Sequence, residues 1–270
     1  MTNRYAVLGS PISHSKSPLL HQSAYRVLGL DCEYSAVEVP AARLRQFIET
    51  LDASWKGLSI TMPLKEEVLS LDVDTDALTQ RIQSGNTLVN RDGSWSLTST
   101  DGSGLVAALA HAGLTQFESV LILGAGGTAR AVTGALDSLA TNLHVLGRSS
   151  VRQEALESAA LHSRFEYLKW NVDVDFTSYD LVVNTTPAGA ADLLANSLQP
   201  GISSTLFDVI YKPWPTELAQ RWSDCGGSVI NGLELLLYQG IDQLEIVLGS
   251  SVNRAGLADH IRPILRKAAG

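Results

Sequence analysis

The sequence predicts an α/β protein of two domains, and three observations carry that expectation. Short apolar runs alternate with longer stretches of helical periodicity along the whole chain. The runs in the middle of the chain, 119–123 and 180–184 among them, are apolar almost throughout, as in parallel strands covered by helices on both faces. At 270 residues the chain is too long for one minimal domain and suits two modest ones.

Taken in order, 5–8 reads as a strand ending at Gly9. Pro18 suits the first turn of a helix that runs to about Leu28 and stops at Gly29. A strand over 32–39 precedes a helix over 41–51, with Leu44, Phe47, Ile48 and Leu51 on one face. Residues 57–62 read as a strand, and Pro63 opens the next helix. Asp92-Gly93 turns a hairpin whose second arm covers 94–97. A helix over 104–111 closes at Gly113. The strand at 119–123 leads into a glycine-rich turn and a helix to about Leu139, followed by strands at 143–146, 180–184 and 205–210. Helices at 233–248 and 255–267 finish the chain. The first domain is therefore expected over residues 1–102 and 235–270, with a nucleotide-type domain of 103–234 set between its two pieces.

Composition narrows the function. A net charge of -8 argues against nucleic acid as a partner, because phosphate backbones call for clustered Lys and Arg. Cys32 and Cys225 stand far apart and outside metal-ligand spacing, which points to a reducing cytoplasm. The start of the sequence lacks the pattern of a secretion signal, and no run approaches the roughly 18 apolar residues of a membrane span. The scattered histidines suggest no metal site.

The turn reads Gly124-Ala125-Gly126-Gly127-Thr128-Ala129, between an apolar strand and an amphipathic helix. A phosphate can approach such a backbone closely, and the N–H groups of the helix terminus supply donors. The spacing is a variant of the dinucleotide fingerprint, with Ala129 in the third small position. An NAD site usually carries Asp or Glu about 20 residues further on. Here Arg148, Ser149 and Arg152 stand instead, guanidinium and hydroxyl groups suited to the 2′-phosphate of NADP. A solvated loop with two surface arginines is the alternative.

Further segments resemble the shikimate dehydrogenase family. They are Gly9 to Pro18 (GSPISHSKSP), Ser59 to Lys65 (SITMPLK), Gly85-Asn86-Thr87, Thr100-Asp101-Gly102, Asn184 to Gly189 (NTTPAG), Asp208 to Tyr211 (DVIY) and Gly232 to Gln239. The resemblance implies a substrate-binding α/β domain and a Rossmann-type NADP-binding domain with a cleft between them. It also implies reversible, NADP-dependent reduction of 3-dehydroshikimate to shikimate, a step toward the aromatic amino acids. Hydride arriving at a ketone builds negative charge on oxygen, which a lysine ammonium can stabilise and protonate. Lys65 and Asp101 match the family's pair for this task. Ser15, Ser17 and Tyr211 match groups that bind the substrate carboxylate, and Thr61, Asn86, Asp101 and Gln239 match the hydroxyl-binding set. Thr186 and Gly232 match positions beside the ribose and nicotinamide. His14 falls at a position whose role in the family motif is structural. Taken singly, Ser15 and Ser17 could cap the helix at Pro18, Asn86 could serve a turn, and Asp101 could cap the next helix.

Four positions depart from the family pattern: Ser59, Ser99 and Gly147 where asparagine is usual, and Leu235 where methionine is usual. They leave room for a related enzyme acting on quinate or another hydroxylated ring acid, or for a metabolite-binding paralogue with impaired catalysis. A small-molecule enzyme of this kind is expected as a monomer or homodimer.

Overall fold

A computed structural model describes residues 2–170 and 173–270. The chain forms two compact units, one made of the chain up to Gly104 with Leu236–Ala268, the other of Leu105–Leu235 with the last two residues.

The first unit contains β1 (Asn3–Gly9), α1 (Ser17–Leu28), β2 (Cys32–Glu38), α2 (Leu44–Glu49), β3 (Trp55–Ile60), α3 (Leu64–Glu67), β4 (Asp74–Thr75), α4 (Ala77–Ile82), β5 (Thr87–Arg91), β6 (Ser94–Thr98) and the start of α5 (Asp101–His111). Its six strands run in the order β2-β1-β3-β5-β6-β4. β1 pairs in parallel with β2 and β3, and the β5–β6 hairpin adds antiparallel to β3. The hairpin turns at Asp92 (φ 52°) and Gly93 (φ 90°), the positive-φ pair that a tight two-residue turn demands. Ala6, Leu8, Leu58, Ile60, Leu64 and Leu88 lie in one buried cluster on this sheet.

The second unit holds β7 (Phe117–Leu123), α6 (Gly127–Leu136), β8 (Ala140–Gly147), α7 (Gln153–Ala159), β9 (Arg164–Lys169), β10 (Leu181–Asn184), α8 (Asp192–Ala195), β11 (Thr205–Asp208), α9 (Glu217–Asp224), β12 (Ser228–Asn231) and the first residues of α10 (Gly232–Leu248). All its pairings are parallel, in the order β12-β11-β10-β7-β8-β9. Counted within the unit this is 3-2-1-4-5-6, the Rossmann order. The strand direction of travel switches between β7 and β10, and ligands of such sheets bind beyond the strand C-termini at that point. α10 runs on into the first unit, which α11 (Arg254–Ala269) completes. No helix among the described residues is long and apolar enough to cross a membrane.

Several expected elements differ in extent. The helix expected over 41–51 is only Leu44–Glu49. Ala42 takes φ 64°, and the Glu67 carboxylate accepts from the Ala42 and Leu44 N–H groups at 2.8 and 3.1 Å, so the helix begins where that carboxylate caps it. The strand expected to reach Ile210 stops at Asp208, because the Ile210 N–H is taken by the Asp208 carboxylate at 3.1 Å. β9 and α9 are not apparent from hydrophobic pattern. β9 is a partly exposed edge strand carrying three charged residues. α9 is short and mostly polar, and its start is fixed by Thr216, whose hydroxyl accepts from the Ala219 N–H at 3.1 Å.

Candidate active site

In the first unit, two chain segments far apart in sequence bring Lys65 and Asp101 together. Lys65 lies on α3, just past β3, and Asp101 is the first residue of α5. Lys65 Nζ and Asp101 Oδ2 form an ion pair, with the two side chains 18% and 7% exposed. A pair this shielded is screened far less than a surface one. Gly104 makes the arrangement feasible: a Cβ there would meet the backbone nitrogen of Gln239 at 2.6 Å, so only glycine lets α5 lie this close to α10. Asp101 and Gln239 both reach the side-chain amide of Asn86.

Asn86 organises the centre. It is buried, and its amide orientation is fixed by an unambiguous donor, the Thr100 N–H, which reaches Asn86 Oδ1 at 2.8 Å. Asn86 Nδ2 therefore faces the acceptors, Asp101 Oδ1 at 2.8 Å and Thr100 Oγ1 at 3.1 Å, with Gln239 Oε1 at 3.4 Å. Gln239 also donates to the Leu236 carbonyl at 2.9 Å. The short side chain at Ser99 does not deprive Asp101 of its anchor, since Thr100 is held through Asn86; the Ser99 hydroxyl is shielded from solvent with no partner among the described residues.

Thr61 sits at the end of β3, its N–H bonded to the Leu8 carbonyl at 2.9 Å. Gly9 is required beside it, because a Cβ would come within 2.5 Å of Thr61 Cγ2. Ser15 and Ser17 flank the start of α1. Ser15 Oγ accepts from the Ser17 N–H at 3.3 Å, so the capping alternative describes part of its work, although the N-cap residue itself, Lys16, makes no side-chain cap bond. Ser17 is buried. His14 is exposed.

In the second unit the glycine-rich turn lies at the sheet's switch point. Gly124 takes φ 105°, and a Cβ there would sit 2.7 Å from Thr185 Oγ1. Gly126 is the N-cap of α6 with no side chain capping the helix. A Cβ at Gly126 would meet only the Arg152 guanidinium, at 3.8 Å. A helix N-terminus that no side chain caps, an uncluttered approach and an adjacent guanidinium together suit a phosphate-bearing dinucleotide. Ala129 is buried under the turn. Arg148 and Arg152 are exposed, on a loop that begins at the C-terminus of β8. The Ser149 hydroxyl accepts from the Val151 N–H at 3.4 Å. The glycine at 147 has a steric reason as well, since the Tyr167 phenol occupies the space a side chain would need.

A buried carboxylate ties the neighbouring loops together. Asp208 accepts from Asn184 Nδ2 at 3.1 Å and from the Thr216 hydroxyl at 2.7 Å, while Thr186 donates its N–H and its hydroxyl to Asn184 Oδ1. Burial pushes the Asp208 carboxyl above its usual range, against the donors from Thr216, the Ile210 N–H and Asn184. Thr186 and the half-buried Tyr211 are thereby set on loops anchored at one point. Gly232 approaches the Val209 carbonyl too closely for any side chain. Among the described residues no cluster of metal-ligating side chains is present.

The fold and these two residue sets define a two-unit α/β protein with a dinucleotide-type half and a polar cluster centred on a lysine–carboxylate pair. Residues 7–88 match the family model for the shikimate dehydrogenase substrate binding domain. The NADP(+) shikimate dehydrogenase of Methanococcoides burtonii is 34% identical, over 92% of this chain and 93% of that protein. The crystal structure of the Mycobacterium tuberculosis shikimate dehydrogenase superposes with TM-score 0.87 at 33% identity, over 97% of this chain and 99% of that one. That of the Thermus thermophilus enzyme, in complex with NADP(H) and shikimate, gives 0.82 at 29% identity over 97% and 99%. The chain belongs to the shikimate dehydrogenase family.

Gln243, which donates to the Asn86 carbonyl at 3.2 Å, and Tyr34, joined to it through Ser59, carry no motif in the sequence. Only the spacing of four between Gln239 and Gln243 places the latter on the same helical face.

Proposed function

We propose that this protein interconverts 3-dehydroshikimate and shikimate with NADP as the redox partner, in the route to the aromatic amino acids. The observation that carries the reading is the shielded Lys65–Asp101 ion pair, locked by Asn86, in a chain of this family. The segment up to Gly104 with the C-terminal helices serves as the substrate-binding domain, and the Rossmann unit as the NADP-binding domain.

When bound, NADPH supplies the hydride that reduces the ring ketone. The chain's own residues handle position and charge. Lys65 Nζ stands by the ketone oxygen, stabilises the negative charge that builds there and delivers the proton. In the reverse direction it receives the proton of the hydroxyl. Asp101 holds the ammonium in place and accepts from a ring hydroxyl, together with Thr61, Asn86 and Gln239. Ser15, Ser17 and Tyr211 donate to the carboxylate. The backbone N–H groups at Gly126, Gly127 and Thr128 would hold the pyrophosphate, Arg148, Ser149 and Arg152 would hold the 2′-phosphate, and Thr186 and Gly232 would stand beside the ribose and nicotinamide. The enzyme works in the cytoplasm as a monomer or homodimer.

A steady-state assay comparing shikimate and quinate, each with NADP and with NAD, tests the reading. Shikimate with NADP is expected to give the highest kcat/KM. Faster turnover of quinate, or no turnover of either, overturns it.

A further inference from the structure

Behind the Lys65–Asp101 pair lies a buried chain of polar groups whose donor directions can be read from fixed points. Gln243 Nε2 donates to a backbone carbonyl, that of Asn86, at 3.2 Å, and this sets which end of the Gln243 amide is which. The same nitrogen donates to Thr87 Oγ1 at 2.9 Å. Thr87 Oγ1 lies 2.7 Å from Asn86 Oδ1, which can only accept, so the Thr87 hydroxyl donates there. The Gln243 carbonyl oxygen in turn accepts from Ser59 Oγ at 2.8 Å and from His21 Nε2 at 3.2 Å. With its proton spent on Gln243, Ser59 accepts from the Tyr34 phenol at 2.6 Å. Every step points the same way, from Tyr34 through Ser59, Gln243, Thr87 and Asn86 to Asp101.

We infer that Gln243 and Thr87 are positioning residues for the reaction: they hold the Asn86 amide in the one orientation that offers Asp101 a donor, leaving the other carboxylate oxygen to Lys65. A flipped Asn86 would turn its carbonyl oxygen toward the carboxylate and lose both the Thr100 and the Thr87 donors. The chain also accounts for Ser59, where asparagine is usual in the family. A hydroxyl both donates to Gln243 and accepts from Tyr34 in a single atom. His21 supports the same assignment. It is buried, stacked flat on Tyr34 at 4.2 Å between ring centroids, and burial pushes it down to about 4, so the ring is neutral, and the Gln243 oxygen facing Nε2 calls for its proton there. The inference rests on the reading of Lys65 and Asp101 as the proton-handling pair.

Thr87→Val keeps the shape and removes the hydroxyl, whereas Thr87→Ser keeps the hydroxyl and loses a methyl. With shikimate and NADP, kcat is expected to fall about fivefold to tenfold in Thr87→Val, the effect of one buried hydrogen bond, and to return to within about twofold in Thr87→Ser. In a Lys65→Ala background the valine loss should shrink below about twofold, since the chain acts through that pair. Equal losses in the two Thr87 variants, or an undiminished loss in the Lys65→Ala background, overturn the inference. Normal turnover of Lys65→Ala alone overturns the catalytic reading instead, and the valine–serine comparison then still judges the chain. Urea unfolding of Thr87→Val, Gln243→Met and the double variant gives a readout independent of turnover, and Gln243→Met stands in if Thr87→Val fails to fold. The double variant is expected to unfold at a midpoint no lower than the weaker single variant. Fully additive losses overturn the proposed chain.

Discussion

Asn86 donates its side-chain amide to Asp101 Oδ1 at 2.8 Å, while the other oxygen of that carboxylate pairs with Lys65. The ion pair is thus a triad in construction: β5 begins at Thr87, immediately after Asn86, and so a rigid strand end fixes how the carboxylate is turned. Fixed geometry of this kind is what lets an ammonium stabilise charge at the moment it develops.

Lys65→Ala should remove the proton donor and leave the dinucleotide half intact. We expect kcat to fall about 10²–10⁴-fold, the usual scale for a general acid, with the NADP Kd changed by less than about twofold. Steady-state rates and calorimetric titration check both, and near-normal turnover would reject the role.

Gly126→Ala separates folding from binding. Gly126 has an ordinary extended backbone (φ -81°, ψ -173°), and its new methyl would touch only the far end of the Arg152 side chain, at 3.8 Å. The melting temperature should therefore hold within a degree or two, while both NADP and NAD bind at least about tenfold more weakly, ~1.4 kcal/mol, because the methyl fills the phosphate approach. Unchanged affinity would remove the turn from the cofactor site.

Arg148→Ala and Arg152→Ala should distinguish the two dinucleotides. A charge-assisted bond to the 2′-phosphate is worth about 1.5–3 kcal/mol, so NADP should weaken about tenfold to a hundredfold and NAD hardly at all. Titration of each variant with both cofactors measures this, and a parallel loss for NADP and NAD would count against the contact.

Stability should fall on mild acidification because of His21. Its pKa in the fold is about 4, below the ordinary 6.5. Between those values the unfolded chain binds a proton that the native state refuses, so the cost is absent above pH 6.5 and grows to about 3 kcal/mol as pH falls to 4. Asp137 acts lower. Donors from Ser163, His162 and Leu161 outweigh its burial and hold it at about 2, so its contribution is complete above about pH 4 and is lost as pH falls through 2. Urea unfolding of the parent and of His21→Gln at pH 7 and pH 4.5 isolates the first window. The variant should show the flatter dependence, and equal slopes would exclude His21 as its source.

Much of this protein was legible before folding. The apolar strands β7, β10 and β11 announce a parallel sheet, and the glycines from Gly124 to Gly127 announce the tight turn from β7 into α6, because both are local consequences of burial and backbone freedom. The extent of α2 was not legible, since its start depends on Glu67, a residue 23 positions from Leu44. Nor was the reason for glycine at 147, which lies in the phenol of Tyr167 on the neighbouring strand.

The sequence alone determined which chemical groups the protein owns: an ammonium at 65, a carboxylate at 101, guanidinium groups at 148 and 152, and the periodicities that place them on α/β elements. Tertiary structure decided which way those groups face. Orientation of an amide such as Asn86 or Gln243 depends on donors and acceptors that arrive from other segments, here Thr100 from the end of the hairpin and Ser59 from β3. Hydrogen bonds are directional and short-ranged, so no spacing along the chain encodes them until the core closes.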